Sequence, residues 1–249
     1  MSRVALVTGA SRGIGHATAR EMLRRGHRVV AIDRAPIDAA TLLGTSAPEA
    51  LMTEQLDVTD MAGIQALRSE IERRWGAVGI LVNNAGVSPK KPDGASAGIL
   101  EIDPEEWEFV LRVNLTAVLR MCQAFLPGMR EMGWGRIVNI SSLAGRSKSL
   151  VAGGSYMASK AGLLGLTRAI AAEMGPSGIT ANAVAPGRIL TEMASQAGPE
   201  VNRRYAEQIP VRRLGTTDEV ASAILYLASE EAGFVNGAVL DVNGGFYMP

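Results

Sequence analysis

Short runs of Val, Ile and Leu recur along the chain between longer stretches in which apolar residues return every three to four positions. The short runs, at 4–7, 28–32, 51–56, 80–82, 136–140, 180–184 and 239–242, are nearly continuous in apolar character rather than alternating. Strands of that kind are buried on both faces, as in a parallel sheet where each crossover lays a helix over it. The longer stretches, among them 104–132 and 154–175, have the period of the covering helices. The pattern predicts an α/β fold, a doubly wound parallel sheet of about seven strands with helices on both faces. No Ser/Pro/Gly linker, internal repeat or low-complexity tract divides residues 1–249, so a single domain is expected.

Composition narrows the partners. The 249 residues carry 25 Lys+Arg against 25 Asp+Glu, a formal net charge of zero, and no window holds a run of like charge. Proteins that work on phosphate backbones or anionic lipid need a basic excess or a basic face, so neither nucleic acid nor a membrane is expected as a partner. At 47% hydrophobic and 20% charged residues, the chain is too apolar for disorder and long enough for a large core. Met1-Ser2-Arg3 leads straight into the first strand without the charged region, long apolar stretch and cleavage site of a secretory signal. Cys122, the one cysteine, has no disulfide partner within the chain, and His16 and His27 stand in no metal-ligand spacing, so no metal is expected. Arg168 and Glu173 interrupt the apolar stretch 161–175 before it reaches bilayer length. A soluble, cytoplasmic protein is the expectation.

Glycine, at 28 residues, gathers where strands turn into helices. The first such turn reads Gly9-Ala10-Ser11-Arg12-Gly13-Ile14-Gly15, between strand 4–7 and a helix running through Arg25. Glycines there let the backbone approach a pyrophosphate, whose charge meets the free N–H groups and positive dipole end of the helix. The spacing Gly-x3-Gly-x-Gly differs from the general Gly-x-Gly-x-x-Gly fingerprint, and a plain tight turn would use the same glycines. The next strand ends at Asp33, where a carboxylate accepts hydrogen bonds from adenosine ribose hydroxyls. A carboxylate about 4 Å from a 2′-phosphate is opposed by roughly 4 kcal/mol per unit charge at an effective dielectric of about 20. Against a ribose diol it gains about 1.5–3 kcal/mol. The expected cofactor is therefore NAD rather than NADP. Arg12 and Arg34, beside the turn and the acid, are surface charges on this reading, and on the other would grip a 2′-phosphate.

Further segments follow in order: Asn83-Asn84-Ala85-Gly86 after the fourth strand, Asn114 in the long helix, Ser141-Ser142 closing the fifth strand, Tyr156-x3-Lys160, and Pro186-Gly187 after the sixth strand. Singly, each has an ordinary structural use: a core tyrosine, a solvated lysine, a strand-end serine cap, a buried amide. Together with the glycine turn, and over essentially the whole chain, they resemble the short-chain dehydrogenase/reductase family. Within that family the chain looks like the 3-oxoacyl-carrier-protein reductase group. Tyr156 and Lys160, four apart on a predicted helix, share a face and converge on one ligand. A neighbouring ammonium is expected to pull the phenol, ordinarily near 10, toward neutrality, which makes Tyr156 the acid/base.

The resemblance implies that Lys160 also holds the nicotinamide ribose, that Ser142 hydrogen-bonds the substrate oxygen, and that Asn114 orders a proton-relaying water chain. It implies cofactor contacts at Gly9, Ser11, Arg12, Gly13, Ile14 and Gly15, at Asp33, at Asp57-Val58, and at Asn83, Ala85 and Gly86. Pro186, Gly187, Ile189 and Thr191 complete that set, the last two toward the carboxamide and the phosphates. A capping role ahead of Asp60 is the alternative for Asp57-Val58. The chain would then be one Rossmann-type dinucleotide-binding and catalytic domain over 1–249. The resemblance also implies a homotetramer that pairs helices 104–132 and 154–175, with residues 241–249 reaching a neighbouring subunit's site.

Substrate choice lies elsewhere. Loop 87–98 is rich in turn formers and is expected to overhang the site, where Lys90 and Lys91 would attract an anionic or polyhydroxylated substrate or else form a solvated pair. Residues 194–213 look like a substrate lid, and its Arg203-Arg204 serve either substrate or surface. Two details separate the chain from the ketoacyl reductases: Asp33, and Gly133 and Ser177 where arginines would meet an acidic carrier protein at the mouth of the site. The leading expectation is an NAD-dependent oxidoreductase acting reversibly on a secondary alcohol, a small polyol, sugar acid or similar small molecule. The alternative is an NADPH-dependent 3-oxoacyl-[acyl-carrier-protein] reductase. A cofactor sensor without turnover would have no use for Asn114, Ser142, Tyr156 and Lys160 together.

Overall fold

The computed structural model describes residues 2–149, 151–191 and 199–249. Seven strands, β1 Val4–Thr8, β2 Arg28–Asp33, β3 Leu51–Gln55, β4 Ile80–Asn83, β5 Gly135–Ile140, β6 Ile179–Pro186 and β7 Val239–Val242, form one sheet in the order β3-β2-β1-β4-β5-β6-β7. Every pairing is parallel. Each predicted run is a strand, and the differences lie mostly at the carboxyl ends, where Thr8, Asp33, Asn83 and Pro186 extend the ladder. These residues are polar or proline, so a hydrophobic pattern stops short of them, yet Asp33 pairs with Gln55 and Asn83 with Asn139. The polar strand ends face the crevice described below.

Eight described α-helices connect the strands: α1 Gly13–Arg24, α2 Ala39–Leu43, α3 Met61–Trp75, α4 Pro104–Leu111, α5 Ala117–Met132, α6 Gly154–Met174, α7 Pro199–Gln208 and α8 Thr217–Leu227. Side chains alternate across the sheet with period two. Leu6, Val30, Leu81 and Ile137 pack with Ile64, Ile71, Met121, Phe125 and Leu163 from α3, α5 and α6. Ala5, Val7, Val29, Val82 and Val138 pack with Ala17, Met22, Val220 and Ile224 from α1 and α8. Both faces are covered, which is why the strands carry no polar alternation.

The predicted helix 104–132 is one helical run but not one regular helix. Residues Arg112–Thr116 widen into a π-turn that contains Asn114. Wide turns of this type re-aim side chains and recur at functional sites. The run Pro104–Met132 is long and apolar enough to cross a bilayer, with a mean hydropathy of 1.4 over 18 residues. Its Val113, Ala117, Met121 and Phe125 sit in the core instead.

β1 lies between β2 and β4, so the chain leaves it in opposite directions across the sheet. The loops after β1 and β4 diverge at that point and open a crevice at the carboxyl ends of the strands. Leu6 is fully buried at the centre of β1. Leu6→Ala is expected to lower the unfolding free energy by about 2–5 kcal/mol, read as a fall in the urea midpoint; an unchanged midpoint would contradict this placement of the core.

Candidate active site

Thr8 and Asn84 clamp the two sides of the crevice together. The Thr8 hydroxyl accepts hydrogen bonds from the backbone N–H groups of Asn84 and Ala85, both at 2.9 Å. The Asn84 amide donates back to the carbonyls of Thr8 and Gly9 at 2.9 and 3.0 Å. The glycines are required here: a Cβ on Gly9 would lie 2.8 Å from the Asn84 amide nitrogen, and one on Gly15 would lie 2.1 Å from the Gly9 carbonyl oxygen. Gly9 and Gly13 also take positive φ, +68° and +61°. Arg12 occupies the N-cap of α1 without capping it through its side chain, and no acid stands in the first turn. The N–H groups at this helix end are thus not taken up by a side-chain cap, which suits a phosphate. Thr191 lies over the turn, its methyl 3.6 Å from where a Gly13 Cβ would stand, and Arg12, Gly13, Leu190 and Thr191 line a groove of about 470 Å³.

Asp33 is tied into the same turn. Its carboxylate accepts from the Ser11 N–H at 3.1 Å and the Ser11 hydroxyl at 2.7 Å through one oxygen, and from the Ala35 N–H at 3.0 Å through the other. Ser11 therefore meets the acid, not open space. Arg34 bears on Asp57, whose carboxyl is held below the usual range, first by hydrogen bonds from Thr59 and then by the Arg34 and Arg112 charges. Asp60, not Asp57, caps α3. Val58 and Ala85 line a water-sized cavity of about 10 Å³ together with Asn83.

The Asn83 amide nitrogen is committed within the protein. It is buried and donates to Asn139 Oδ1 at 2.9 Å, and Asn139 in turn donates to Thr167 at 2.9 Å. This chain of polar groups joins β4, β5 and α6, while Asn83 Oδ1 is buried without a hydrogen-bond partner beside the small cavity.

Four expected residues do come together around α6. Lys160 is 4% exposed, and its ammonium donates to the Ile140 carbonyl at 2.7 Å at the end of β5. A Cβ on Gly86 would lie 3.3 Å from Lys160 Nζ and 3.2 Å from Asn114 Oδ1, so these three residues meet at one point. Asn114 is fully buried; it accepts from the Val87 N–H at 2.8 Å and donates to the Val87 carbonyl at 2.9 Å and to Ser159 at 3.1 Å. The Ser142 hydroxyl stands close enough to the Tyr156 phenol to favour its ionised form. Ser142 also caps the 3₁₀ turn Leu143–Gly145, accepting from the Ala144 N–H at 3.1 Å.

The electrostatics of the pair differ from expectation. Burial pushes the Tyr156 phenol up, and Ser142, rather than Lys160, is the protein group that favours its ionised form. Lys160 Nζ lies 5.7 Å from the Tyr156 ring centroid and is committed to the Ile140 carbonyl; burial pulls its own pKa down to about 8.

After β6, the Gly187 N–H donates to the Val242 carbonyl at 2.9 Å, and a Cβ there would strike Asn243 at 2.8 Å, so the Pro186-Gly187 turn is a close crossing. Ile189 is buried and bridges to Gly215. Lys90 donates to Ser96 at 2.8 Å and to the Val151 carbonyl, and Lys91 pairs with Glu101 at 3.2 Å, so neither is a free loop charge. Arg203 and Arg204 pair with Glu200 on α7, Arg203 also with Glu207, and so serve the surface. Residues 194–198 of the expected lid lie outside the described residues. Phe246 stacks on Tyr205 of the same chain, with ring centroids 5.8 Å apart, folding the C-terminal segment over its own α7.

Gly133 and Ser177 sit elsewhere than expected. Both precede their strands, β5 and β6, and a Cβ on Gly178 would lie 2.3 Å from the Gly133 carbonyl oxygen. They meet at the amino ends of the strands, opposite the crevice, not at its mouth. Sequence reasoning missed Thr8, Asn139, Gly145, Ser159 and Thr167 as parts of this machinery. A Cβ on Gly145 would lie 2.7 Å from the Lys160 carbonyl carbon, and the glycine three places after Ser142 was the one available signal.

Residues 9–247 match the family model described as enoyl-(acyl carrier protein) reductase. The acetoacetyl-CoA reductase of Shinella zoogloeoides is 41% identical over 250 residues, covering 100% of both chains. The 3-oxoacyl-[acyl-carrier-protein] reductase FabG of Escherichia coli (strain K12) is 38% identical over 251 residues, 99% of this chain and 98% of that one. The crystal structure of a 3-oxoacyl-[acyl-carrier protein] reductase with bound NAD from Brucella melitensis matches with a TM-score of 0.86 at 38% identity, over 99% of this chain and 92% of that one. With the glycine turn, the Ser142–Tyr156 pair and the buried Lys160 assembled on this sheet, the chain belongs to the short-chain dehydrogenase/reductase family of oxidoreductases.

Proposed function

We propose that this oxidoreductase interconverts a secondary alcohol and its ketone with NAD(H), its substrate being a small polyol, sugar acid or similar metabolite. The observation that carries the reading is the Ser142–Tyr156 hydroxyl pair beside the buried Lys160 ammonium. The residues of the crevice fit a nicotinamide dinucleotide: the glycine turn and Thr191 for the pyrophosphate, Asp33 for the adenosine ribose, and Gly86 and Lys160 for the nicotinamide ribose. When bound, the nicotinamide supplies the hydride chemistry. Ser142 orients the substrate oxygen, and Tyr156 gives or takes the proton at that oxygen. Lys160 holds positive charge beside the phenol. Asn114 ties loop residue Val87 to α6 through Ser159, and its Oδ1 keeps a second lone pair for water.

Asp33 supports NAD over NADP, and the NAD bound in the Brucella melitensis relative points the same way for that protein. A second reading, an NADPH-dependent 3-oxoacyl-[acyl-carrier-protein] reductase, is favoured by the names of the relatives. The place of Gly133 and Ser177, away from the crevice, removes one objection to it. On either reading residues 1–249 act as one cytoplasmic domain. Trp107, Leu119 and Met132, partly exposed on α4 and α5, support pairing of these helices in a homotetramer.

Tyr156→Phe is expected to lower kcat by about 10²–10⁴-fold while the dissociation constant for NADH stays near that of the unmutated protein; turnover retained in this variant would remove Tyr156 as the acid/base. Lys160 contributes a pH dependence of stability. Its folded pKa of about 8 lies below the ordinary 10.5, so between these values the unfolded chain binds more protons at this residue. Its contribution therefore becomes more favourable as pH rises from 8 toward 10 and is lost as pH falls through 8. Urea unfolding of the unmutated protein and of Lys160→Met should show the former gaining on the latter over this window, whereas parallel curves would mean that the ammonium is not desolvated.

A further inference from the structure

One ion pair outside the groups assigned so far joins distant parts of the chain next to Ser142. Residues 142–146 form a compact turn. Ser142 accepts from the Ala144 N–H at 3.1 Å through its hydroxyl and from the Gly145 N–H at 2.9 Å through its carbonyl, and the Arg146 N–H donates to the Leu143 carbonyl at 2.9 Å. With three hydrogen bonds across five residues, a shift at Arg146 reaches Ser142. The first end of the turn is fixed: the Ser141 N–H donates to the Val184 carbonyl at 2.8 Å and its hydroxyl to the Lys160 carbonyl at 2.9 Å. The other end is Arg146, whose Nη2 donates to Asp241 Oδ2 on β7 at 2.9 Å. The turn follows β5, and β6 lies between β5 and β7, so the pair spans a strand. Beyond Asp241 the chain folds back, as Asn243 donates to the Tyr247 carbonyl at 3.1 Å and accepts from the Gly245 N–H at 2.9 Å. The Tyr247 ring centroid then lies 5.3 Å from the Arg146 guanidinium.

The Arg146 and Asp241 side chains are only 20% and 16% exposed, so this is not a solvated surface pair. Stability alone is a poor reason for it. Arg146 Nε and Asp241 Oδ1 are buried without hydrogen-bond partners among the described residues, where a bidentate pair would satisfy both. Packed apolar side chains commonly replace a buried ion pair at no loss of stability. What the pair does supply is a directed link from β7 to the turn that carries Ser142.

We propose that Arg146 and Asp241 are a positioning pair, which holds the Ser142 hydroxyl where the substrate oxygen and Tyr156 need it. This rests on the oxidoreductase reading and deepens it by assigning the closing strand a part in the reaction. The test compares Arg146→Met, Asp241→Leu and the double variant, with ethyl acetoacetate and 5-ketogluconate as ketones and NADH and NADPH as donors. Both single variants should lower kcat by about tenfold or more with the NADH dissociation constant unchanged. They should also lower the urea midpoint, each leaving one partner buried alone. The double variant should regain the midpoint but not kcat, and its kcat should be no lower than that of either single variant. In a Ser142→Ala background, Arg146→Met should cost no further kcat, because it acts through that hydroxyl. Recovery of kcat together with the midpoint, or a full further loss in the Ser142→Ala background, would overturn the proposal and leave the pair a matter of stability. A crystal structure of the double variant decides the same point without turnover. Displacement of Ser142 Oγ by about 1 Å or more is expected, and an unmoved Ser142 would overturn the proposal. If the unmutated protein reduces neither ketone with either donor, that result counts against the oxidoreductase reading, while the position of Ser142 still decides the role of the pair.

Discussion

A lysine left 4% exposed, whose ammonium donates to one backbone carbonyl among the described residues, is the constraint on which the rest of the site depends. Such burial is unfavourable unless the charge is well placed, and the depressed pKa of Lys160 records the cost. The surroundings are arranged around it. Ile140 ends β5 with its carbonyl turned to the ammonium, Ser141 donates to the Lys160 carbonyl at 2.9 Å, and Gly145 lacks the Cβ that would push the Ser142 turn off α6. Gly86, on the other side, leaves open the point where Lys160 and Asn114 meet. These packing relations fix Ser142 and Tyr156 relative to each other. On the proposed reading, the ligand hydroxyls that Lys160 would serve account for so unfavourable a position better than stability does.

The second organising feature is the set of polar residues at the carboxyl ends of the strands. Thr8 and Asn84 join the loops after β1 and β4, and Asp33 joins the end of β2 to the glycine turn through Ser11. The acid expected to select the cofactor is thus also a structural part of the phosphate cradle. On the proposed reading, selection and shape rest on one carboxylate, so changing Asp33 would alter both.

Much of this was legible in the residue pattern, for definable reasons. Strands buried on both faces announce themselves as apolar runs, and the order of Asn114, Ser142, Tyr156 and Lys160 is carried by the chain itself. What escaped depends on direction rather than identity. Nothing in Arg112-Val113-Asn114-Leu115-Thr116 marks a π-turn. Asn83 and Asn84 are adjacent in a strand end, so their side chains take opposite sides, and only Asn84 reaches the glycine turn. Gly133 and Ser177 could have been assigned to the far edge from topology alone, since they precede their strands while Ser142 and Gly187 follow theirs. The pKa of Tyr156 was not legible, because it turns on whether Lys160 faces the phenol or a carbonyl.

On the proposed reading, the crevice takes a nicotinamide dinucleotide and the charge of Asp33 decides which one. The direct measurement is the pair of dissociation constants for NADH and NADPH at one ionic strength, followed by quenching of the three tryptophans. NADH binding tighter by about tenfold or more is the predicted result, a difference of about 1.4 kcal/mol, smaller than the opposition expected between Asp33 and a 2′-phosphate. NADPH binding as tightly or more tightly would contradict the claim and bring the ketoacyl reductase reading to the front.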